Sequence, residues 1–104
     1  MEVPVQKKHI ISESGGKDLL DIYIYNSKYS ENYARKTINK IFEYIYLLRE
    51  YPNLGRKLKN RYETNSEKMF IYCLKYIILY SYTDSTIIIE RIISTRTNFI
   101  KHLF

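Results

Sequence analysis

The apolar residues between positions 30 and 50 recur at the spacing of one α-helix face. They stand three, four or seven positions apart, which brings them to the same side of a helix. The stripe consists of Ala34, Ile38, Ile41, Phe42, Ile45 and Leu48. Ser30 can cap the start of this helix, with the acidic Glu31 in its first turn. Tyr51 precedes Pro52 and is therefore disfavoured in helical backbone, so the pattern predicts a helix over 30–50.

The residues before this helix predict a strand and a shorter helix. Residues 3–12 mix apolar and polar side chains without a helical stripe, and Pro4 cannot donate to a sheet ladder, which favours a first or edge strand. Residues 14–16, Ser-Gly-Gly, interrupt the pattern. From Lys17 onward apolar side chains again recur at helical spacing, which predicts a helix over 17–27. Its apolar face would be formed by Leu19, Leu20, Tyr23 and Ile24.

The second half of the chain predicts three consecutive strands, over 68–73, 76–82 and 86–93. These segments are rich in Ile, Tyr, Phe and Leu, and short turn signals at 74–75 and 83–85 separate them. Strands that follow one another so closely form an antiparallel meander. The residues between Pro52 and the first of these strands are interpreted as a connection.

Both faces of this meander are predicted to be apolar. In the last strand, alternation assigns Ile87, Ile89 and Ile93 to one face and Ile88 and Ile92 to the other. The preceding strand alternates in the same way, with apolar side chains on both sides. Since only one face can cover the helices, we expect the second face to be a docking surface for a partner.

These elements predict an α+β fold in which the N-terminal strand joins the three C-terminal strands in one sheet. A hairpin of two helices would pack on that sheet, and residues 95–104 would form a short amphipathic helix or an extension. At 104 residues the chain has the length of a single domain, 1–104.

The composition excludes several classes of protein. With 45% hydrophobic residues, three Gly and two Pro, the chain is not typical of disorder or repeats. No apolar run reaches the roughly 18 residues of a membrane span, and the start lacks the apolar region of a signal peptide, so we expect a cytoplasmic protein with no membrane partner. A single cysteine, Cys73, excludes an internal disulfide. We expect no metal site and no cofactor.

The charge of the chain lies mainly in its second half. The net charge is +6, and residues 53–104 carry nine basic and four acidic side chains. A basic half favours a nucleic acid or an acidic protein as partner. A basic segment follows Pro52 and would contact phosphates or a target, or else be a solvated connection. It contains Arg56, Lys57, Lys59 and Arg61.

Several segments occur in the order and at the spacing of one protein family. They are Asp18-Leu19-Leu20-Asp21-Ile22, Leu47-Leu48 at the end of the long helix, Tyr51-Pro52-Asn53-Leu54-Gly55-Arg56, Tyr76-Ile77-Ile78-Leu79-Tyr80, and Ile87 to Ile93 with Arg96 beyond. With these motifs the chain resembles the ParE/RelE superfamily of toxins from bacterial type II toxin–antitoxin modules. The resemblance spans nearly the whole sequence and implies the fold predicted above.

Some positions depart from the family pattern. Gly15 and Gly16 stand where a small helix-starting residue such as alanine is usual, and Met69 stands near a frequent arginine. Ser94 occupies a position where RNA-cleaving members commonly have a histidine. The missing histidine at 94 favours the ParE branch over the RelE branch, whereas the departures at Gly15, Met69 and Ser94 together leave an inactive member open.

The resemblance leaves three functions open. A ParE-like toxin would bind DNA gyrase and poison it without being an enzyme, in modules known for plasmid stabilisation. A RelE-like toxin would be a ribosome-dependent mRNA endonuclease, with candidate catalytic residues Lys75, Arg91, Arg96 and His102 around the scissile phosphate. Glu90 would face away from Arg91, its neighbour on the strand. An inactive member would serve only as a binding partner.

The resemblance also implies a cognate acidic antitoxin whose C-terminal segment folds as it wraps the toxin. We expect it on the second apolar sheet face, next to Arg91, Arg96 and the basic segment. Arg96 is also a candidate for target binding. His9 is interpreted as structural or exposed, and Cys73 as a small buried residue. Four tyrosines are expected on core faces: Tyr23, Tyr44, Tyr76 and Tyr80.

Overall fold

A five-stranded sheet carries two long helices on one face. The computed structural model describes residues 7–96, so part of the predicted first strand, the C-terminal tail and His102 lie outside it. The elements are β1 (Lys8–Ile11), α1 (Glu13–Ser27), α2 (Glu31–Glu50), a 3₁₀ turn (Pro52–Leu54), β2 (Arg56–Lys57), α3 (Leu58–Arg61), β3 (Met69–Cys73), β4 (Tyr76–Tyr82) and β5 (Thr86–Ser94).

The strand order is β1-β5-β4-β3-β2, with β1 parallel to β5 and every other pair antiparallel. The predicted α+β fold and the edge position of the first strand are therefore confirmed. Among the helices within residues 7–96, none combines the length and apolar character that a membrane crossing requires.

Helix α2 follows its apolar stripe as predicted. Ala34, Ile41, Ile45 and Leu48 are buried, and Ile38 and Phe42 pack against the same core. At its start, the Ser30 hydroxyl accepts a hydrogen bond from the Tyr33 amide at 2.9 Å. The pattern and the cap together determined both ends of this helix to within one residue.

Helix α1 begins four residues earlier than predicted. The Ser12 hydroxyl accepts a hydrogen bond from the Gly15 amide at 3.0 Å and donates one to the Glu90 carbonyl at 2.8 Å. Gly15 is buried, and a Cβ there would lie 3.1 Å from the Ile89 carbonyl oxygen. The Ser-Gly-Gly segment is thus the first turn of the helix, where a glycine permits close packing on β5.

The buried face of α1 also differs from the prediction. Leu20 and Ile24 are exposed, while Ile22 and Asn26 are buried. The Asn26 side-chain amide donates to the Tyr76 hydroxyl at 3.0 Å, and this polar contact with β4 helps set the rotation of the helix. The predicted face was based on apolar spacing alone, which cannot indicate that an asparagine is buried. It therefore placed Leu20 and Ile24 on the wrong side of the helix.

A β-bulge in β5 changes which face its last residues occupy. Arg91 lies opposite Leu79, but the next pair is Ile89 opposite Tyr80, so Glu90 is an extra residue. Ile92 therefore joins the core beneath the helices, and Ile93 belongs to the opposite face. The simple alternation predicted the reverse for these two isoleucines.

The second sheet face is not left open. A second cluster of buried side chains occupies it: Leu58, Phe70, Ile77, Leu79 and Ile93. Leu58 comes from α3, a single helical turn that follows the two-residue strand β2. The predicted connection therefore contains a strand and a helical turn, and the prediction of an exposed docking face was wrong because these apolar side chains are buried within the chain.

The Pro-Asn-Leu-Gly motif is held to the sheet by a tyrosine. The Tyr80 hydroxyl accepts from the Gly55 amide at 3.0 Å and donates to the Pro52 carbonyl at 2.8 Å. Burial raises the pKa of Tyr80 to about 12. A Cβ at Gly55 would lie 2.5 Å from the tyrosine oxygen, so only glycine fits. This motif serves the fold by joining α2 to β2.

Candidate functional site

A groove of about 340 Å³ lies between α1, the end of β5 and the β3–β4 turn. We call it the α1–β5 groove. It brings together Lys75, Arg91 and Arg96, three of the four candidate catalytic residues. Its other lining residues are Asp18, Asp21, Ile22, Tyr25, Tyr76, Ile92, Ile93 and Ser94.

The β3–β4 turn places Lys75 beside Arg96. Leu74 adopts a positive φ of 56°, which reverses the chain between the two strands. The Lys75 carbonyl then accepts hydrogen bonds from the Thr95 amide at 2.9 Å and the Thr95 hydroxyl at 3.0 Å. These bonds tie the residue before Arg96 to the turn, so both cations line one groove.

Asp18 on α1 forms a two-bond ion pair with Arg91 on β5. Arg91 donates from Nε at 2.8 Å and from a terminal nitrogen at 3.1 Å to the two carboxylate oxygens of Asp18. The Ile92 amide donates to the same carboxylate at 2.9 Å. The hydrogen bonds with Asp18 raise the pKa of Arg91 above its usual value. Arg91 thus joins α1 to β5. The prediction of a strand around Arg91 did not indicate this role.

The remaining cations of the groove carry unneutralised charge. Within residues 7–96, neither Lys75 nor Arg96 forms an ion pair with a carboxylate. Asp21 also lines the groove and is its other acidic residue. Glu90 pairs instead with Lys68, at 3.5 Å. Glu90 and Arg91, although neighbours on the strand, thus contact different partners.

Three exposed tyrosines border the groove at the α1–α2 connection. Lys75 Nζ lies 5.9 Å from the ring centroid of Tyr25 and 5.7 Å from that of Tyr33. A second hollow of about 360 Å³ is lined by Tyr29, Tyr33, Lys75 and Arg96. We call Tyr25, Tyr29, Tyr33, Lys75 and Arg96 together the tyrosine patch. Sequence analysis missed it, although the four-residue spacing of its tyrosines across a predicted turn was a usable signal.

The tyrosines of the patch influence each other's titration. A hydrogen bond with Tyr29 lowers the pKa of Tyr25, and the charges of Arg96 and Lys75 lower it further. The pKa of Tyr29 is raised by the same contact.

Of the tyrosines expected on core faces, Tyr76 and Tyr80 are buried. The other two, Tyr23 and Tyr44, are half-buried.

The basic segment lies at the other end of β3 from Lys75. Arg56 and Lys57 form β2 and pair with the start of β3, whereas Lys75 follows its end. Lys59 pairs with Glu67 at 3.3 Å. Together with Arg61, Arg56 and Lys57 line an open hollow of about 700 Å³. The structure therefore divides the predicted target-binding residues into this segment and the separate Arg96.

His9 and Cys73 lie away from the groove. The His9 ring meets Phe42 and Tyr46 edge-on, with centroids 6.5 and 5.7 Å apart. Burial lowers the pKa of His9, and Arg49 lowers it further. Cys73 is buried, and desolvation raises the pKa of its thiol to about 11. Both residues pack in the fold, as the sequence indicated. Within residues 7–96 no cluster of His, Cys, Asp or Glu could hold a metal ion.

Comparison with known proteins identifies the family. The model of the ParE toxin, from the type II toxin–antitoxin system parDE, matches residues 10–99. The chain belongs to the ParE toxin family. It is therefore the toxin component of a type II toxin–antitoxin module, and such a toxin has an antitoxin as its partner. The match begins within β1 and continues past the end of β5, so it covers nearly all of the described fold.

A solved structure has the same fold as this ParE family member. It is described as a chromosomal ParDE toxin–antitoxin system from P. aeruginosa, and it aligns with a TM-score of 0.70 at 17% sequence identity. The alignment covers 86% of this chain and 96% of that one. No curated protein matches the sequence.

Proposed function

We propose that this toxin inhibits bacterial growth by binding DNA gyrase and stabilising its cleaved complex with DNA. The observation that carries the proposal is the Asp18–Arg91 pair, taken together with membership of the ParE family. In this pair Arg91, one of the three cations in the groove, bonds a side chain of the fold itself. Such an action would take place in the cytoplasm, where gyrase works on the chromosome.

An RNA-cleaving site makes demands that this pair does not meet. Stabilising a pentacovalent phosphate requires cations that can approach it freely, and a base must accept the proton of the attacking hydroxyl. Arg91 donates to both oxygens of Asp18, and Asp18 already accepts three hydrogen bonds. Ser94 stands where RNA-cleaving relatives commonly have a histidine. Binding of a protein target needs none of these groups.

One observation favours the ribonuclease as a second candidate. Lys75, Arg96 and Tyr25 share the groove, and the pKa of Tyr25 is lowered, first by its hydrogen bond with Tyr29. Two free cations and a tyrosine could together bind a scissile phosphate and move a proton. This arrangement would support cleavage of mRNA in the ribosome.

Induced expression in a bacterial host, without an antitoxin, separates the two functions. Incorporation of labelled thymidine and labelled methionine is followed in the same culture. A gyrase poison stops thymidine incorporation first and induces the response to DNA breaks. Early arrest of methionine incorporation with cleaved messages would support the ribonuclease instead. Normal growth at high expression would reject both and leave the inactive binding partner.

The antitoxin is expected to cover the α1–β5 groove. Its apolar side includes Ile22 and Ile92, and Lys75 and Arg96 supply positive charge at its border. This combination suits an acidic segment that inserts an apolar side chain. Raising the salt concentration from about 50 to 500 mM should slow association far more than it changes dissociation, because salt screens long-range attraction. A salt effect confined to dissociation would contradict this division between charge and apolar contact.

A further inference from the structure

We infer that the tyrosine patch binds a single strand of nucleic acid, with its exposed rings stacked on bases and Lys75 and Arg96 contacting phosphates. The inference does not depend on which target the toxin inhibits. It concerns exposed side chains at the α1–α2 connection, beside the β3–β4 turn that carries Lys75.

The rings of the patch are unusually open to solvent. Tyr29 is 68% exposed, Tyr33 45% and Tyr25 43%. Tyr25 and Tyr29 meet edge-on, at a ring-centroid distance of 5.9 Å and an interplanar angle of 68°. Because Tyr25 and Tyr29 do not stack on each other, and the cations lie over Tyr25 and Tyr33, the ring of Tyr29 offers the most open face of the patch. Aromatic faces presented next to cations are the usual platform for unpaired bases.

Lys28 and Lys75 lie beside these rings, where they could contact the phosphates of a nucleic-acid strand whose bases stack on the rings. Lys75 lies between Tyr25 and Tyr33, and Lys28 Nζ lies 5.9 Å from the Tyr25 centroid. Within the described part of the chain, neither Lys28 nor Lys75 has a carboxylate partner. Their charge is therefore available to phosphates.

The lining of the hollow between the rings favours a nucleotide over a peptide. Among residues 7–96, the side chains that line this hollow of about 360 Å³ are Tyr29, Tyr33, Lys75 and Arg96, none of them a branched aliphatic. Protein partners anchor themselves in apolar pockets, a description that fits the neighbouring α1–β5 groove better. A base offers flat faces to the rings and a phosphate to the cations. In a duplex those faces are already stacked, so the patch requires a single strand.

Fluorescence anisotropy with labelled oligonucleotides of about 12 residues tests this inference, a length that spans a typical single-strand site. The probes are oligo(dT), oligo(rU) and a duplex of the same length. We expect a single strand to bind more tightly than the duplex, and the stronger of dT and rU tells whether the natural strand is DNA or RNA.

Variants of exposed residues locate the site. Tyr29→Ala should weaken binding roughly five- to a hundred-fold, the effect of one lost stacking contact, whereas Tyr29→Phe keeps the ring and should bind normally. Lys75→Gln should reduce the slope of log affinity against log salt by about 0.7, as expected for one phosphate contact. Tyr51→Ala and Lys36→Gln, at exposed positions outside the patch, are the matched controls and should behave as wild type.

Three results would overturn the inference. They are the absence of binding, equal affinity for duplex and single strand, and a Tyr29→Ala variant that binds as tightly as Tyr51→Ala. Circular dichroism verifies that each variant is folded. None of these results would affect the gyrase proposal, because the probes contain no gyrase.

Discussion

The carboxylate of Asp18 on α1 accepts two hydrogen bonds from the guanidinium of Arg91 on β5, 73 residues further along the chain. The same carboxylate accepts the Ile92 amide. β1 ends at Ile11, opposite Ile89, so among residues 7–96 no strand pairs with the following stretch of β5 on that side. The Asp18 side chain therefore accepts the β5 amide that a longer β1 would have bonded. This edge of β5 forms a wall of the groove.

Removal of Asp18 should destabilise the protein more than removal of Arg91. Asp18→Ala leaves a half-buried guanidinium and a backbone amide unpaired, which should cost about 1.5–3 kcal/mol of unfolding free energy. Arg91→Met should cost less, because the carboxylate keeps the Ile92 amide. Denaturant unfolding of both single variants and the double variant measures the coupling between the two side chains. Strictly additive effects would show that the pair does not join α1 to β5.

Loss of the Tyr80 hydroxyl should loosen the turn after α2. Tyr80→Phe leaves the Gly55 amide and the Pro52 carbonyl without their partner, which should cost about 1–3 kcal/mol of unfolding free energy. Tyr82→Phe is the control, since the hydrogen bond that the Tyr82 hydroxyl forms within residues 7–96 goes to the exposed Asn53 side chain. If the two variants lose the same stability in urea, the turn is not held by Tyr80.

The elements that could be predicted from sequence are those with a local signal. The apolar stripe of α2 and its Ser30 cap lie within about twenty consecutive residues. The β3–β4 turn lies in the short gap between two apolar segments. The start of α1 depends on Ser12 bonding the Glu90 carbonyl, 78 residues away. No local sequence pattern indicates such a contact. The Ser-Gly-Gly segment was therefore interpreted as an interruption before the helix rather than as its first turn.

The site was predictable only in part, for the same reason. The chemistry of the residues indicated Lys75 and Arg91, and the family pattern indicated Arg96, but neither indicated that Asp18 would form an ion pair with Arg91. One extra residue at Glu90 was enough to exchange the faces of Ile92 and Ile93, because side chains alternate with a period of two. The second sheet face looked free since nothing in the sequence marks Leu58 as a core residue.

Cys73 should be unreactive in the folded protein. Its thiol is buried, and desolvation raises its pKa to about 11, so little thiolate exists near neutral pH. With a chromogenic disulfide at pH 8, the native protein should react roughly a hundred-fold more slowly than the urea-unfolded chain. Equal rates in the two states would mean that this end of β3 opens readily.

His9 should make the fold less stable at mildly acidic pH. Burial lowers its pKa in the folded state below the ordinary value of 6.5. As the pH falls below 6.5, the unfolded chain takes up the proton more readily than the folded one, so stability present above this pH is progressively lost. The unfolding free energy of wild type should therefore fall more between pH 7.5 and 5.5 than that of His9→Phe. An identical decrease in both proteins would remove His9 as the cause.

Trapping of gyrase on DNA tests the central claim most directly. Purified gyrase is incubated with plasmid, ATP and increasing amounts of the protein, and the reactions are stopped with detergent and protease. We predict loss of supercoiling together with linear plasmid that increases with dose, and less of both with Arg96→Gln than with Lys36→Gln. Full supercoiling and no linear plasmid at a large excess of folded protein would contradict the proposal that this ParE family toxin poisons gyrase.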